Sequence, residues 1–280
     1  MQWLITGCST GLGLDIARAV LGAGQKCIAT SRNSASSPEA VQEIKKLGGV
    51  WAKLDVASES LENDLVNIVK EHGPVDVVVN NAGYADGGAL ESMDLSVARK
   101  LFEVNFWGSI RVIQALVPSM RERKSGVIVN ISSGTYWSPP PGAAVYAASK
   151  FAIEGVSEAL AMELSSFNVR VLIAEPGAMK TAFYDPKKLK MPPLADEYKG
   201  TAVEYASKMI ASMDQTAPQD PKKTAEVIVR EVLKPCSDPP VLRLPLGKES
   251  LGGARKRVAE LTKTADELES IAAACDFEIN

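Results

Sequence analysis

Histidine is nearly missing from this chain: its 280 residues contain one, His72. Ordinary acid–base chemistry therefore has few candidates, and His72, standing before "GP" at a helix end, reads as a surface residue. Cysteine is sparse too. Cys8, Cys27, Cys236 and Cys275 are scattered, with no CxxC pair and no metal-ligand spacing. They read as reduced thiols of a cytoplasmic protein, with neither a disulfide framework nor a metal site. No apolar run approaches the ~20 residues needed to span a bilayer. The N-terminus enters "WLIT" without a basic segment or cleavage site, so no signal peptide is expected. Neither sign of charge dominates: 31 Lys and Arg against 34 Asp and Glu give a formal net charge of −3. A nucleic-acid surface or a polybasic membrane patch is not expected on that balance.

What is present is an alternation of short β-branched runs and longer amphipathic segments. "WLIT" (3–6), "KCIATS" (26–31), "VWAKL" (50–54), "VDVVVN" (75–80), "GVIVNIS" (126–132) and "VRVLIAE" (169–175) read as strands. Several are apolar almost throughout, as a strand covered on both faces must be. Helical patterns fall near 12–23, 38–47, 61–72, 97–123 and 145–167. Such an order predicts a doubly wound α/β fold, a mainly parallel seven-stranded sheet with helices on both sides. The pattern loosens after 176: a Pro-rich loop, helices before 213 and over 222–234, a strand "VLRLP" (241–245), and a charged helix near 249–274. With no repeat or linker to split it, 1–280 reads as one domain. Residues 1–181 form its core and 182–280 a substrate-side extension.

The first strand runs into "TGCSTGLG" (6–13), so Gly7, Gly11 and Gly13 sit where a strand becomes a helix. Glycine there lets the backbone approach a pyrophosphate on the helix N-terminus. Taken alone, such a turn serves a purely structural bend equally well. Four further stretches join it at the carboxyl ends of strands: "LDV" (54–56), "NNAG" (80–83), "NISSGTYW" (130–137) and "EPGAMKT" (175–181). That is the sheet edge where open α/β folds bind ligands. Tyr146 and Lys150 in "VYAASKFAIEG" (145–155) lie one helical turn apart, so a cation can stand near a phenol and favour its ionised form. A second YxxxK, Tyr184 and Lys188, carries a Pro inside it and reads as loop.

In order and spacing these motifs resemble the short-chain dehydrogenase/reductase family, strongly over residues 2–181. "LRLPLGKESLGGARKRVAEL" is similar, more loosely, to fungal and bacterial oxidoreductases related to 17β-hydroxysteroid and retinol dehydrogenases. The resemblance implies Asn105, Ser133, Tyr146 and Lys150 as the catalytic set. Tyr146 would donate a proton, Ser133 would hydrogen-bond the substrate oxygen, Lys150 would hold the nicotinamide ribose, and Asn105 would anchor a water. Ser133 lies thirteen residues before Tyr146, as in the family, which favours it over Ser132.

The cofactor set implied runs Gly7, Ser9, Thr10, Gly11, Leu12 and Gly13 in the loop, then Ser31 and Arg32 after the second strand. Asp55 and Val56 would border the adenine and Asn81, Ala82 and Gly83 its ribose. Pro176, Gly177, Met179 and Thr181 would line the nicotinamide side, with Tyr146 and Lys150. No acid follows "KCIATSRNS" until Glu39, while Arg32 can pair with a 2′-phosphate. NADP(H) is expected on that ground. Trp137, Phe183 and Tyr184 would frame a fairly hydrophobic carbonyl or alcohol between "SPPPG" (138–142) and "KMPPL" (190–194). Trp107 reads as a core aromatic. The family's habit of pairing its fourth and fifth helices implies a homodimer or homotetramer. A cofactor-binding relative with a non-reductive or regulatory role would show a damaged Ser–Tyr–Lys set, and here the set is intact.

Overall fold

The structure, a computed structural model, describes residues 1–185, 189, 191–235 and 240–275. Among the described residues, seven strands form one parallel sheet: β1 Gln2–Ile5, β2 Lys26–Ser31, β3 Val50–Lys53, β4 Val77–Asn80, β5 Gly126–Ile131, β6 Val169–Pro176 and β7 Arg243–Leu246. Their spatial order is β3-β2-β1-β4-β5-β6-β7. All seven runs marked as strands in the sequence are strands, within two residues at each end.

Helices cover both faces. Helices α1 Gly11–Gly22, α2 Pro38–Lys46 and α8 Pro221–Leu233 lie on one side; α3 Leu61–His72, α5 Gly108–Glu122 and α6 Ala144–Leu164 lie on the other. Alternation within β1 feeds the two layers. Trp3 and Ile5 join Ile16, Val20 and Ile228, whereas Leu4 joins Leu61, Leu65 and Val112. β1 lies between β2 and β4, where the strand order reverses, so a crevice opens beyond the carboxyl ends of β1 and β4.

The stretch expected as a single helix over 97–123 is divided. Helix α4 Leu95–Phe102 passes through a π-helical turn, Glu103–Trp107, before α5 begins. The wider turn holds Asn105 buried and leaves Trp107 half exposed. Trp107 is therefore a surface residue, not a core aromatic: the extra residue in a π turn rotates the next side chains by about 100° around the axis. Helix α7 Ala202–Thr216 follows the Pro-rich segment, and α9 Lys248–Ala273 ends the described chain. Among the described residues, no helix is long and apolar enough to cross a membrane.

Candidate active site

The glycine loop is shaped by its neighbours. Gly7 and Gly11 have φ of +73° and +64°, a region side chains disfavour. A Cβ on Gly7 would stand 2.8 Å from the Ala82 Cα, and one on Gly13 would stand 2.6 Å from the Gly7 carbonyl oxygen. Thr6 and Asn81 lock the loop to β4. The Asn81 amide donates to the carbonyls of Thr6 (2.8 Å) and Gly7 (3.2 Å), and the Thr6 hydroxyl accepts from the backbone N–H of Asn81 and Ala82. Asn81 thus spends its side chain on holding the loop.

Helix α1 starts from Thr10 with no side-chain cap and no acid in its first turn, which leaves its first amides open to an anion. Thr181 reaches across the loop, its Cβ 3.4 Å from where a Gly11 side chain would begin. At the end of β2 the Ser31 hydroxyl is buried without a partner, and Arg32 beside it is exposed. An uncapped helix start, a loop that excludes side chains and an orphaned hydroxyl beside a guanidinium fit a nicotinamide dinucleotide.

Asp55 caps its own turn through the Ala57 N–H (3.0 Å), and Val56 packs under Gly108. Pro176 ends β6, and Gly177 comes next with its N–H bonded to the Leu246 carbonyl. Met179 is bridged to Gln219 through backbone. Ser9 and Leu12 sit in the loop and the first turn of α1.

Beyond the loop the catalytic candidates converge. Helix α6 carries Tyr146 and Lys150 on its buried face. The Ser133 hydroxyl stands against the Tyr146 phenol, but burial and the nearby Tyr184 push that phenol well above the usual tyrosine range. Helical spacing alone suggests a lowered value; here desolvation of the phenolate outweighs any help from Lys150. Lys150 is buried, and this brings its ammonium down to about 8 against a weaker opposing pull from Glu154. Its Nζ donates to the Ile131 carbonyl at 2.8 Å and lies 5.8 Å from the Tyr146 ring centre.

Asn105 closes the group. Its side chain accepts from the Tyr84 N–H (3.0 Å) and donates to the Tyr84 carbonyl (2.9 Å) and the Ser149 hydroxyl (3.2 Å). A side chain on Gly83 would meet both Asn105 and Lys150.

On the substrate side, the Phe183 ring lies 5.8 Å from that of Tyr146, and Tyr184 stacks edgewise on Phe183 at 5.3 Å. Burial, then Glu249, pushes Tyr184 up to about 12. Tyr184 thus stands one ring away from Tyr146; Lys188 lies outside the described residues, as do Lys190 and Cys236. Trp137 turns elsewhere, its indole N–H donating to Glu175 at 2.8 Å. A cavity of about 280 Å³ opens between Ala89, Met191, Pro192, Leu194 and Ala211.

Sequence reasoning missed the charges behind this wall. Glu154 and Glu175 are fully buried, and the Arg243 guanidinium faces both at 3.2 and 3.4 Å while also pairing with the exposed Glu158. Burial first, then Glu154, raises Glu175 to about 7. The Ser132 hydroxyl is buried on the Glu154 side of this wall, with no hydrogen-bond partner among the described residues. The signals were available: Glu154 follows Lys150 by one helical turn, and Glu175 is an acid directly after the apolar run "VLIA" of its strand.

A doubly wound sheet with Ser, Tyr and Lys gathered at the carboxyl ends of its strands defines a nicotinamide-type oxidoreductase architecture. The short chain dehydrogenase family model matches residues 2–191, and the chain belongs to that family. Oxidoreductase claN of Passalora fulva is 45% identical over 182 residues, covering 65% of this chain and 83% of that one. Retinol dehydrogenase 8 of Bos taurus is 35% identical over 242 residues, 82% of this chain and 77% of that one. A short-chain dehydrogenase structure from Streptomyces avermitilis superposes with a TM-score of 0.86 at 32% identity, covering 99% of each chain. A variant of actinorhodin polyketide ketoreductase solved with NADPH gives 0.74 at 27% identity, covering 89% of this chain and 97% of that one.

Proposed function

We propose that the protein is an NADPH-dependent carbonyl reductase, or the reverse alcohol dehydrogenase, acting on a fairly hydrophobic small molecule. One observation carries the reading: a buried phenol kept protonated, with a serine hydroxyl against it and a buried ammonium one turn along. Ser133 positions and polarises the substrate oxygen. Tyr146, protonated throughout the neutral range, gives its proton to that oxygen as negative charge develops. Lys150 stabilises the tyrosinate left behind, and Asn105 fixes the π turn and Ser149 beside it.

Gly7, Ser9, Gly11, Gly13, Asn81 and Thr181 shape the cradle for the dinucleotide, and Lys150 holds its nicotinamide ribose. When bound, NADPH supplies the hydride. Arg32 and the orphaned Ser31 hydroxyl support a 2′-phosphate, and the lack of an acid at the end of β2 removes the usual partner of a free ribose. Phe183 and Tyr184 give the reacting end an aromatic wall. Similarity to a retinol dehydrogenase and a polyketide ketoreductase favours a polyketide, steroid-like or lipid-derived ketone or alcohol. The test is loss of NADPH absorbance across a panel of such carbonyls. Turnover that survives in Tyr146→Phe at the parent rate overturns the mechanism.

A further inference from the structure

Helix α9 leaves the body of the molecule soon after it starts. Ser250 and Ala254 are buried, and a Cβ on Gly253 would meet the Trp137 Cβ at 3.2 Å. From Arg255 to Ala273 every residue is exposed. Most helical stability in proteins comes from packing one face against a neighbour, and this stretch has no buried face within the described residues.

Its sequence carries a seam. Val258, Leu261, Ala265, Leu268 and Ala272 are spaced by alternate threes and fours, the repeat that keeps one stripe facing a partner helix. Val258, Leu261 and Leu268 are about half exposed on that stripe. The charges are sorted along the axis. Arg255, Lys256, Arg257 and Lys263 lie towards the N-terminus, Asp266, Glu267 and Glu269 towards the C-terminus, with Glu260 between. The first turn of α9 carries Glu249, as the helix dipole favours, but its last turn has no base and three acids gather towards that end. Pairs along its own surface, Lys256 with Glu260 and Lys263 with Glu267, offset part of that.

We propose that α9 pairs antiparallel with α9 of a second copy of this chain. Across the two-fold axis, Val258 then packs on Leu268 of the second copy and Leu261 on its Ala265, so each larger residue meets a smaller one. Arg255 comes opposite Glu269 of the second copy, twice by symmetry. Parallel pairing sets the basic ends side by side, where they repel. A lipid surface suits the helix poorly, since the four bases of its exposed stretch are matched by four acids there and no aromatic lies on the seam.

The test is sedimentation velocity of the full chain at micromolar concentration and low salt. Leu261→Asp with Leu268→Asp halves the particle mass while cooperative unfolding of the body is unchanged. Arg255→Glu or Glu269→Arg alone weakens self-association about tenfold, and the two together restore it. Three outcomes overturn the proposal. The parent chain sediments as a monomer, or the Asp variants keep the parent's mass, whether or not they lose binding to anionic vesicles. In the third, the double charge exchange fails to recover association.

Discussion

Lys150 points its ammonium at the carbonyl of Ile131, 2.8 Å away, and so ties helix α6 to the end of β5 immediately before Ser132 and Ser133. Because burial lowers this ammonium to about 8, its charge is full below that pH and lost above it. NADPH binding to the free enzyme should therefore weaken as pH rises through about 8. Lys150→Met should bind poorly at every pH and show no such inflection. Fluorescence titration of NADPH between pH 6 and 10, as trial values, reads both.

Tyr146→Phe keeps the ring that packs against Phe183 and removes the proton. General acids contribute about 10²–10⁴-fold, so turnover should fall by that much with NADPH affinity nearly unchanged. Steady-state kinetics and a binding titration on the same preparation separate the two quantities.

Arg32→Asp replaces an exposed guanidinium with the acid that a free ribose prefers. A hydrogen bond to a charged group is worth about 1.5–3 kcal/mol, so NADPH affinity should drop roughly ten- to hundredfold. NADH should gain at the same time. The ratio of kcat/KM for the two cofactors measures the exchange.

Gly13→Ala drives a methyl into the Gly7 carbonyl and the Asn81 amide. Overpacking of this kind costs about 1–3 kcal/mol, and here the backbone that must move is the cofactor loop. Both the denaturation midpoint and NADPH affinity should fall. Gly22→Ala, where nothing lies within 4 Å, should change neither for the worse.

Glu175 gives stability a pH dependence. Its carboxyl is raised to about 7 in the fold, so the folded chain holds a proton that the unfolded chain has lost. The contribution is full below the ordinary glutamate range and disappears as pH rises through about 7. Thermal unfolding should show the parent losing more stability than Glu175→Gln over that interval.

The sheet was legible because the central strands are apolar almost throughout and bounded by turn residues; "VDVVVN" admits few other readings. Ser133 stands against Tyr146, as its thirteen-residue spacing leads one to expect, while the Ser132 hydroxyl is buried. The π turn at Asn105 was hidden because one extra residue leaves the apolar pattern of 97–123 nearly intact, and Trp107 was misplaced with it. Tyr146 and Lys150 reveal their spacing in sequence but not their solvent exposure, and it is burial that sets the state of the phenol. The Glu154–Glu175–Arg243 group escaped notice since its members are remote in sequence and meet only through β6, β7 and α6.

The Asn81 amide, by gripping the carbonyls of Thr6 and Gly7, makes the glycine loop an extension of the β1–β4 junction. The curve around the cofactor site is in place before any ligand arrives, and little order remains to be imposed on binding. Weakening that grip should therefore register as a less favourable binding entropy with a similar enthalpy, a thermodynamic mark distinct from the loss of a direct contact.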